Sequence, residues 1–306
     1  MKFIDLHTHG LAGFGSRSER PEDYLGMSAA MKAHGTDAFL PTLFPGPADA
    51  MRARLAAVKK AMEERGSGGA EILGANLEGP FVNPLRKGAL GPDAPADRLQ
   101  PVDRLRADEI FQMPSVENLK RIIDGFEDIV KVITIAPELP GALRVIEFCA
   151  DNGIMVNMGH SEADFGQAGD GAKAGAKGVT HLFNAMSGLH HRTPGLAAYA
   201  LMDDDLYVEI IADGAHVHPE MLKLVLKLKP PERILLVSDS LAQAKTPAHP
   251  EASPIYLPAE AGRPATLAGG GLALMECVER MTRLAGTPQE SAQRFASENP
   301  GRFLKV

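Results

Sequence analysis

The segment LYVEIIADGAHVHPEMLKLVLKLKPPERILLVSDS, residues 206–240, decides the fold class. The apolar, β-branched run over residues 206–213 predicts a buried strand, and the run over 233–239 predicts another. Between them, residues 218–229 carry apolar side chains at the spacing of an amphipathic helix. A strand, a helix and a second strand in close succession indicate a βαβ unit with parallel strands.

The same alternation runs along the rest of the chain. Six further strand patterns precede this segment, at residues 2–7, 38–44, 71–78, 130–138, 154–160 and 178–184. Further helical patterns occupy residues 21–35, 48–66, 115–126, 141–153 and 272–286. Eight β-then-α units predict an α/β fold of the (β/α)8 TIM-barrel type, with a doubly wound open sheet as the alternative. No interdomain linker is evident, so we expect residues 1–306 to form a single catalytic barrel domain.

The composition narrows the class of protein. Of the 306 residues, 44% are hydrophobic and 23% are charged, which is typical of a globular protein. A formal net charge of −7 gives no support for binding to nucleic acid or to an anionic membrane surface. The start, MKFIDLHTHG, has no signal-peptide pattern, and no apolar segment approaches the ~20 residues of a membrane span. Cys149 and Cys277 alone cannot form a disulfide framework, so we expect a soluble, cytoplasmic protein.

Polar residues gather where the predicted strands end. His7 and His9 close the first strand as an H-x-H pair, and the alternation of a strand places both on one face. The other strand-end residues are Glu78, His160, His181, Asp213 with His216, and Asp239. Each alone is more typical of a surface or turn residue. Because the active site of a (β/α)8 barrel lies at the carboxyl ends of its strands, together they predict a metal site. Imidazole and carboxylate ligands without a thiolate suit Zn²⁺, Fe²⁺ or a similar divalent ion.

An ordered series of motifs runs from DLHTHG to ENPGRF: LEGPF, GHS, THLFNAM, R-x-P-G at residues 192–195, IADGAHV, LVSDS and TLAGG. In this order they resemble the motifs of the N-acetylglucosamine-6-phosphate deacetylase family of the amidohydrolase superfamily. The resemblance implies a metal-dependent enzyme that hydrolyses the acetamido group of an N-acetyl amino-sugar 6-phosphate.

The resemblance also implies roles for individual residues. Glu78, His160 and His181 match the ligands of the principal metal ion, and His7 and His9 leave room for a second one. The expected ion is Zn²⁺, one or two per subunit. Asp239 matches the catalytic acid/base. The implied substrate contacts are Ala89, Asn184, Ala185, Arg192, His216, Leu267, Ala268 and Gly269. In the family the arginine reaches across a dimer interface, so a homodimer is implied as well.

The residue types agree with amide hydrolysis. Water bound to a metal ion has its pKa lowered from ~15.7 towards ~7, which makes it a nucleophile at neutral pH. Asp239 can take the proton of this water and return it to the departing amine. Arg192 carries the planar, forked guanidinium that suits a phosphate.

Three features depart from the family pattern. Most members have a small β-sandwich domain before the first strand and after the last barrel helix, and we expect it to be missing here. Leu90 stands where the family usually has a His or Gln that polarises the acetyl carbonyl. Losing one such donor costs ~2.7–4 kcal/mol of transition-state stabilisation, unless a second ion at His7 and His9 replaces it. The motif SDSLAQAK, at residues 238–245, replaces the more usual Thr-Asp-Ala and leaves the identity of the sugar open.

Two alternatives stay open for these reasons. One is a related amidohydrolase that acts on another amide or N-acyl substrate. The other is a non-catalytic protein that binds a metal ion or a sugar phosphate. Asp239 argues against the second alternative, because a binding protein needs no general base.

Overall fold

The computed structural model describes residues 1–86, 110–249, 254–257 and 266–306, and eight parallel strands follow one another around a barrel in it. In chain order these barrel strands are Ile4–Thr8, Ala38–Leu43, Ala75–Leu77, Val130–Ile135, Met155–Met158, Gly178–Val179, Tyr207–Ile210 and Ile234–Leu236, and we number them one to eight. Each pairs in parallel with the next. This sequential order confirms the (β/α)8 barrel and excludes a doubly wound sheet, whose strand order reverses at a switch point.

The barrel closes between strands eight and one through the residues that follow strand eight. The backbone N–H of Asp239 donates to the carbonyl of His7 at 2.9 Å, and that of His9 donates to the carbonyl of Ser240 at 2.8 Å. The hydroxyls of Ser240 and Thr8 lie 2.9 Å apart. Ser240, the second serine of the unusual SDS motif, therefore helps to join the first strand to the last.

Helices cover the outside of the barrel. Six of them confirm the helical patterns of the sequence: Pro21–Ala33, Ala48–Glu64, Val116–Ile123, Ala142–Asp151, Pro219–Leu228 and Leu274–Ala285. The structure adds Phe165–Ala174, Leu196–Met202, Gln289–Phe295 and Glu298–Leu304. The first of these begins at a capping box, in which Asp164 accepts from the N–H of Gln167 and Gln167 accepts from the N–H of Asp164. Two further strand pairs are antiparallel: Gly10–Leu11 with Phe14–Gly15, and Ile255–Leu257 with Thr266–Gly269.

Each barrel strand is shorter than its sequence pattern, and in two of them a local backbone feature explains the difference. The third is divided into Glu71–Ile72 and Ala75–Leu77. Gly74 between them has φ +146°, and a Cβ there would lie 2.3 Å from the carbonyl oxygen of Ile129, so the chain bends where only glycine fits. The sixth strand stops at Val179 because His181 and the residues after it turn out of the extended conformation.

Apolar side chains fill the end of the barrel where strand one starts. Leu6, Leu40, Val132 and Leu235 pack there with Phe303 of the last helix. A larger apolar cluster lies between the strands and the outer helices. Buried polar residues are therefore concentrated at the opposite end, where the strands finish. Among the described helices, none has both the length and the apolar character needed to cross a bilayer.

Candidate metal centre

Six polar side chains converge at the carboxyl end of the barrel. They form two groups, and within each the ligand atoms lie within 4.8 Å of one another. The first-strand group consists of His7, His9 and Asp239, and the Glu78 group of Glu78, His160 and His181. All six residues are buried. The structure thus brings together six of the eight residues that the sequence pattern placed at strand ends.

Three of these residues lie just past their strands in an uncommon backbone conformation. The φ angles of His160, His181 and Asp239 are +46°, +29° and +46°. Residues with a Cβ seldom occupy this left-handed region, because each costs about 1–3 kcal/mol and persists only where its surroundings enforce the conformation. Strain of this kind concentrates at functional sites, and here it occurs at three strand ends that meet.

Glu78 connects the two groups. Its Oε1 lies 3.0 Å from Nε2 of His160 and 3.0 Å from Nε2 of His181. Its Oε2 lies 3.0 Å from Nε2 of His9. One carboxylate therefore faces histidines of both groups.

Hydrogen bonds on the far side of the rings orient three of the histidines. Nδ1 of His9 lies 2.9 Å from the carbonyl oxygen of Thr42, and Nδ1 of His160 lies 2.7 Å from that of Arg86. A carbonyl only accepts, so each Nδ1 donates, and Nε2 is the ring nitrogen that each of these two histidines turns inward. Nδ1 of His7 lies 3.0 Å from Oε2 of Glu209. Partners of this kind are typical of metal-ligating histidines.

This arrangement fits a divalent cation. The Nε2 lone pair of His9 faces a carboxylate oxygen of Glu78, and the Nε2 atoms of His160 and His181 approach to 3.0 Å. Nε2 of His7 and Oε2 of Glu78 are buried without a hydrogen-bond partner among the described residues. Acceptors that face one another in a buried site need a cation between them. Imidazole and carboxylate donors are the ligands of Zn²⁺ and similar ions.

The electrostatic field of the site also favours a cation. Burial raises the pKa of Glu78, but the surrounding histidines outweigh burial and hold that pKa well below its usual value. Burial lowers the pKa of His7, but the carboxylates of Glu78, Asp239 and Glu209 outweigh it and raise that pKa well above its usual value. The same carboxylates that attract a proton to Nε2 of His7 attract a metal ion.

Asp239 lies at the open side of the first-strand group. Its Oδ1 is 3.4 Å from Nε2 of His7 and 3.4 Å from Nε2 of His9. Its side chain keeps 11% of its surface exposed, more than those of His7 and His9. A carboxylate so placed can accept a proton from a molecule that enters the barrel mouth.

His216 and Asp213 form a pair after strand seven. Nδ1 of His216 lies 2.7 Å from Oδ2 of Asp213, and Oδ1 of Asp213 accepts the backbone N–H groups of Ala215 and His216 at 2.8 Å each. Burial raises the pKa of Asp213, but His216 and these N–H groups outweigh it and lower that pKa. The pair leaves Nε2 of His216 for another partner.

The other residues predicted to contact substrate differ in their surroundings. Asn184 donates to the carbonyls of His181 and Leu182, so its amide stabilises the turn after strand six. Ala185, with φ +49°, accepts the N–H of Ser161. Arg192 is exposed on the loop between strand six and the helix Leu196–Met202. Ala89 and Leu90 lie outside the described residues.

The segment Leu267–Gly269 belongs to the strand Thr266–Gly269, which pairs with Ile255–Leu257. Leu267 and Ala268 are half-buried, and Gly269 is buried. The N–H of Gly270 donates to the carbonyl of Asp239 at 2.7 Å, and a Cβ at Gly270 would lie 2.1 Å from the carbonyl oxygen of Ser238. This glycine-rich segment therefore packs directly against the backbone that carries Asp239.

Sequence reasoning missed two buried residues beside the centre, Glu209 and Asn157. Both lie in the middle of apolar strand patterns, YVEI and MVNM. A charged or amide residue at such a position must find a partner inside the protein, and that requirement was the available signal.

Comparison with known proteins agrees with this geometry. The family model described as "Amidohydrolase family" matches residues 2–305. The chain is 33% identical to an N-acetylgalactosamine-6-phosphate deacetylase of Escherichia coli O157:H7, over 99% of this chain and 77% of the relative. It is 33% identical to an N-acetylglucosamine-6-phosphate deacetylase of Vibrio furnissii, over 99% of this chain and 73% of the relative.

The chain belongs to the amidohydrolase family, in its N-acetylglucosamine-6-phosphate deacetylase group. Solved structures support this placement. The crystal structure of the N-acetyl-D-glucosamine-6-phosphate deacetylase from Mycobacterium smegmatis matches with a TM-score of 0.83 and 27% identity, over all of this chain and 78% of that one. A variant of the same enzyme, in complex with N-acetyl-D-glucosamine-6-phosphate, matches equally well, with a TM-score of 0.83. Amidohydrolases are metal-dependent, in line with the two groups described above.

Proposed function

We propose that this chain hydrolyses the acetamido group of an N-acetyl amino-sugar 6-phosphate and releases acetate and the free amino sugar phosphate. The observation that carries the proposal is the pair of metal-type groups with Asp239 beside them, at the mouth of the barrel. Relatives that are at least 30% identical and carry this activity in their names support the substrate class.

Glu78, His160 and His181 would hold the principal ion, and His7 and His9 with Asp239 would hold a second. Zn²⁺ suits these nitrogen and oxygen donors best, although Fe²⁺ has the same preferences. A bound divalent ion lowers the pKa of water and stabilises negative charge that develops on the acetyl oxygen. One ion or two per subunit is compatible with the donor set.

The residues of the chain supply the proton transfers. Asp239 takes a proton from the attacking water as the new carbon–oxygen bond forms at the acetyl carbonyl. It then gives this proton to the nitrogen as the carbon–nitrogen bond breaks, so the amine leaves in neutral form. His216, fixed by Asp213, presents Nε2 to a polar group of the sugar or of the acetamide. Leu90 has no hydrogen bond to offer the carbonyl, which gives a second ion at His7 and His9 added importance.

Substrate binding extends the proposal to Arg192. Its exposed guanidinium suits the 6-phosphate, and an exposed position is compatible with a role across the interface of a homodimer. Asn184, Ala185, Ala89 and the segment Leu267–Gly269 are the remaining proposed substrate contacts. We propose further that residues 1–306 act as one catalytic domain in the cytoplasm, in line with two cysteines that are buried and unpaired.

The test is acetate release from N-acetylglucosamine 6-phosphate and from its galactosamine epimer, with metal content measured on the same sample. We expect turnover that a chelator abolishes and Zn²⁺ restores. Asp239→Asn should keep the ion of the Glu78 group and lose turnover, whereas Asp170→Asn, at an exposed helical position, should behave as the wild type. Bound metal without acetate release from either sugar would contradict the substrate class and favour another amide. Unchanged turnover in Asp239→Asn would contradict the mechanism.

A further inference from the structure

Glu209 is a buried carboxylate inside the barrel. It lies in strand seven between two buried aliphatic residues and has no exposed surface. Three donors surround it. Oε1 accepts from the side-chain amide of Asn157 at 2.8 Å, and Oε2 lies 3.0 Å from Nδ1 of His7 and 3.3 Å from the backbone N of His181. Burying a carboxylate costs free energy, and hydrogen bonds such as these three are what offset that cost.

We propose that Glu209 is a positioning residue that fixes the tautomer of His7 and thereby enables the first-strand group to hold a second ion. The inference rests on the proposed metal centre and adds a residue that touches no substrate atom. Its effect passes through the His7 ring.

The chemistry of the contacts gives the tautomer. An ionised carboxylate only accepts hydrogen bonds, so Nδ1 of His7 must donate to Glu209. Nε2 is then the ring nitrogen that His7 can offer to a metal ion. This atom lies 3.4 Å from Oε1 of Glu78 and 3.4 Å from Oδ1 of Asp239, and neither oxygen can donate to it when ionised. A divalent cation held by the first-strand group would neutralise the negative charge that these oxygens direct at Nε2 of His7.

Asn157 determines which carboxylate oxygen of Glu209 faces His7. Because its amide donates to Oε1, the carboxylate is fixed with Oε2 towards His7. In Glu209→Gln, the new NH2 group faces either the amide of Asn157 or the N–H groups of His7 and His181. In either orientation an N–H group of the new glutamine faces another N–H group. The clash is relieved only if the Asn157 amide flips or the proton of His7 moves from Nδ1 to Nε2. Glu209→Leu removes both acceptors and leaves no such adjustment.

The experiment is a titration of the metal-free protein with Co²⁺, followed by absorbance, with metal content after desalting measured by elemental analysis. We expect two ions in the wild type. In Glu209→Gln and Glu209→Leu, the first ion should bind as before and the second about 10–100-fold more weakly. Thr134→Val is the matched control, because Thr134 is also a buried polar residue of the barrel, and its hydroxyl contacts that of Thr180 at 2.8 Å and none of the six metal-type side chains.

A second comparison separates positioning from general damage. In a His7→Asn background, Glu209→Leu should cause no further loss of metal, because its partner is already absent. Two ions with unchanged affinities in both Glu209 variants would overturn the proposal, and so would a wild type that binds a single ion. Acetate release by a one-ion protein would leave the proposed deacetylase function standing. A wild type that binds two ions and Glu209 variants that bind one, with no acetate release by any of these proteins, would support the role of Glu209 and contradict the proposed deacetylase function.

Discussion

Nδ1 of His216 lies 2.7 Å from Oδ2 of Asp213, in a pair whose side chains are only 5% and 3% exposed. The carboxylate holds the imidazole with its Nδ1 proton inward, so Nε2 is free to accept a hydrogen bond from substrate. Asp213 also binds the backbone N–H groups of the same turn. The turn and the tautomer of His216 therefore depend on one side chain.

Asp213→Asn tests this dependence. The Asn oxygen can keep the backbone hydrogen bonds, but its NH2 group faces Nδ1 and forces the proton onto Nε2. Hydrogen bonds to charged groups contribute about 1.5–3 kcal/mol, so kcat/KM should fall about 10–100-fold, with little change in metal content. Glu220→Gln, at an exposed position of the following helix, is the control and should keep the wild-type value. An unchanged kcat/KM in Asp213→Asn would mean that the tautomer of His216 plays no part in catalysis or substrate binding.

Arg192→Ala tests recognition of the phosphate. Because a guanidinium and a phosphate form charge-assisted hydrogen bonds, KM for the 6-phosphate should rise at least tenfold while kcat changes little. The unphosphorylated N-acetyl sugar should be turned over equally well by both proteins. Arg144→Ala, a substitution of another highly exposed arginine, should leave both substrates unaffected. Equal KM values for the wild type and Arg192→Ala would favour a substrate without phosphate.

Periodicity and strand-end chemistry predicted much of this molecule. Apolar runs of strand length alternate with helical patterns, and in a parallel barrel every strand must deliver its last residues to the same rim. That constraint is why His7, Glu78 and Asp239 could be grouped although they are far apart in the chain.

The rest depends on contacts that spacing does not encode. The bend at Gly74 and the early end of strand six follow from close backbone approaches and left-handed residues. The sequence pattern did not identify Glu209 and Asn157, because each is a single polar residue within an otherwise apolar strand. The roles of Ala89 and Leu90 stay predictions, since these residues lie outside the described part of the chain.

Gly270→Ala tests the support behind Asp239. A Cβ at Gly270 would lie 2.1 Å from the carbonyl oxygen of Ser238, so the backbone before Asp239 must move. Overpacking of this kind costs about 1–3 kcal/mol, and we expect a lower midpoint of thermal unfolding together with a lower kcat. Gly68→Ala is the control, because a Cβ there meets no atom within 4 Å. Wild-type stability and kcat in Gly270→Ala would show that the strand-eight loop tolerates the displacement.

Lys229 should make the free energy of unfolding depend on pH in the alkaline range, independently of the metal centre. Its buried ammonium donates to the carbonyls of Ala200 and Asp203 at the end of the helix Leu196–Met202. Burial lowers the pKa of this lysine to about 8, against an ordinary value of 10.5. Between these two values the unfolded chain binds a proton that the folded chain has lost, so unfolding becomes less favourable as pH rises.

The free energy of unfolding should therefore increase between about pH 8 and pH 10.5, by at most about 3 kcal/mol from this group. The measurement is denaturant unfolding at several pH values, with the wild type compared with Lys229→Met. The variant should lack this increase, whereas Lys227→Met, at an exposed position two residues earlier, should keep it. Parallel pH profiles for the wild type and Lys229→Met would mean that the ammonium keeps its proton in the folded state, held by the two carbonyls more strongly than burial opposes it.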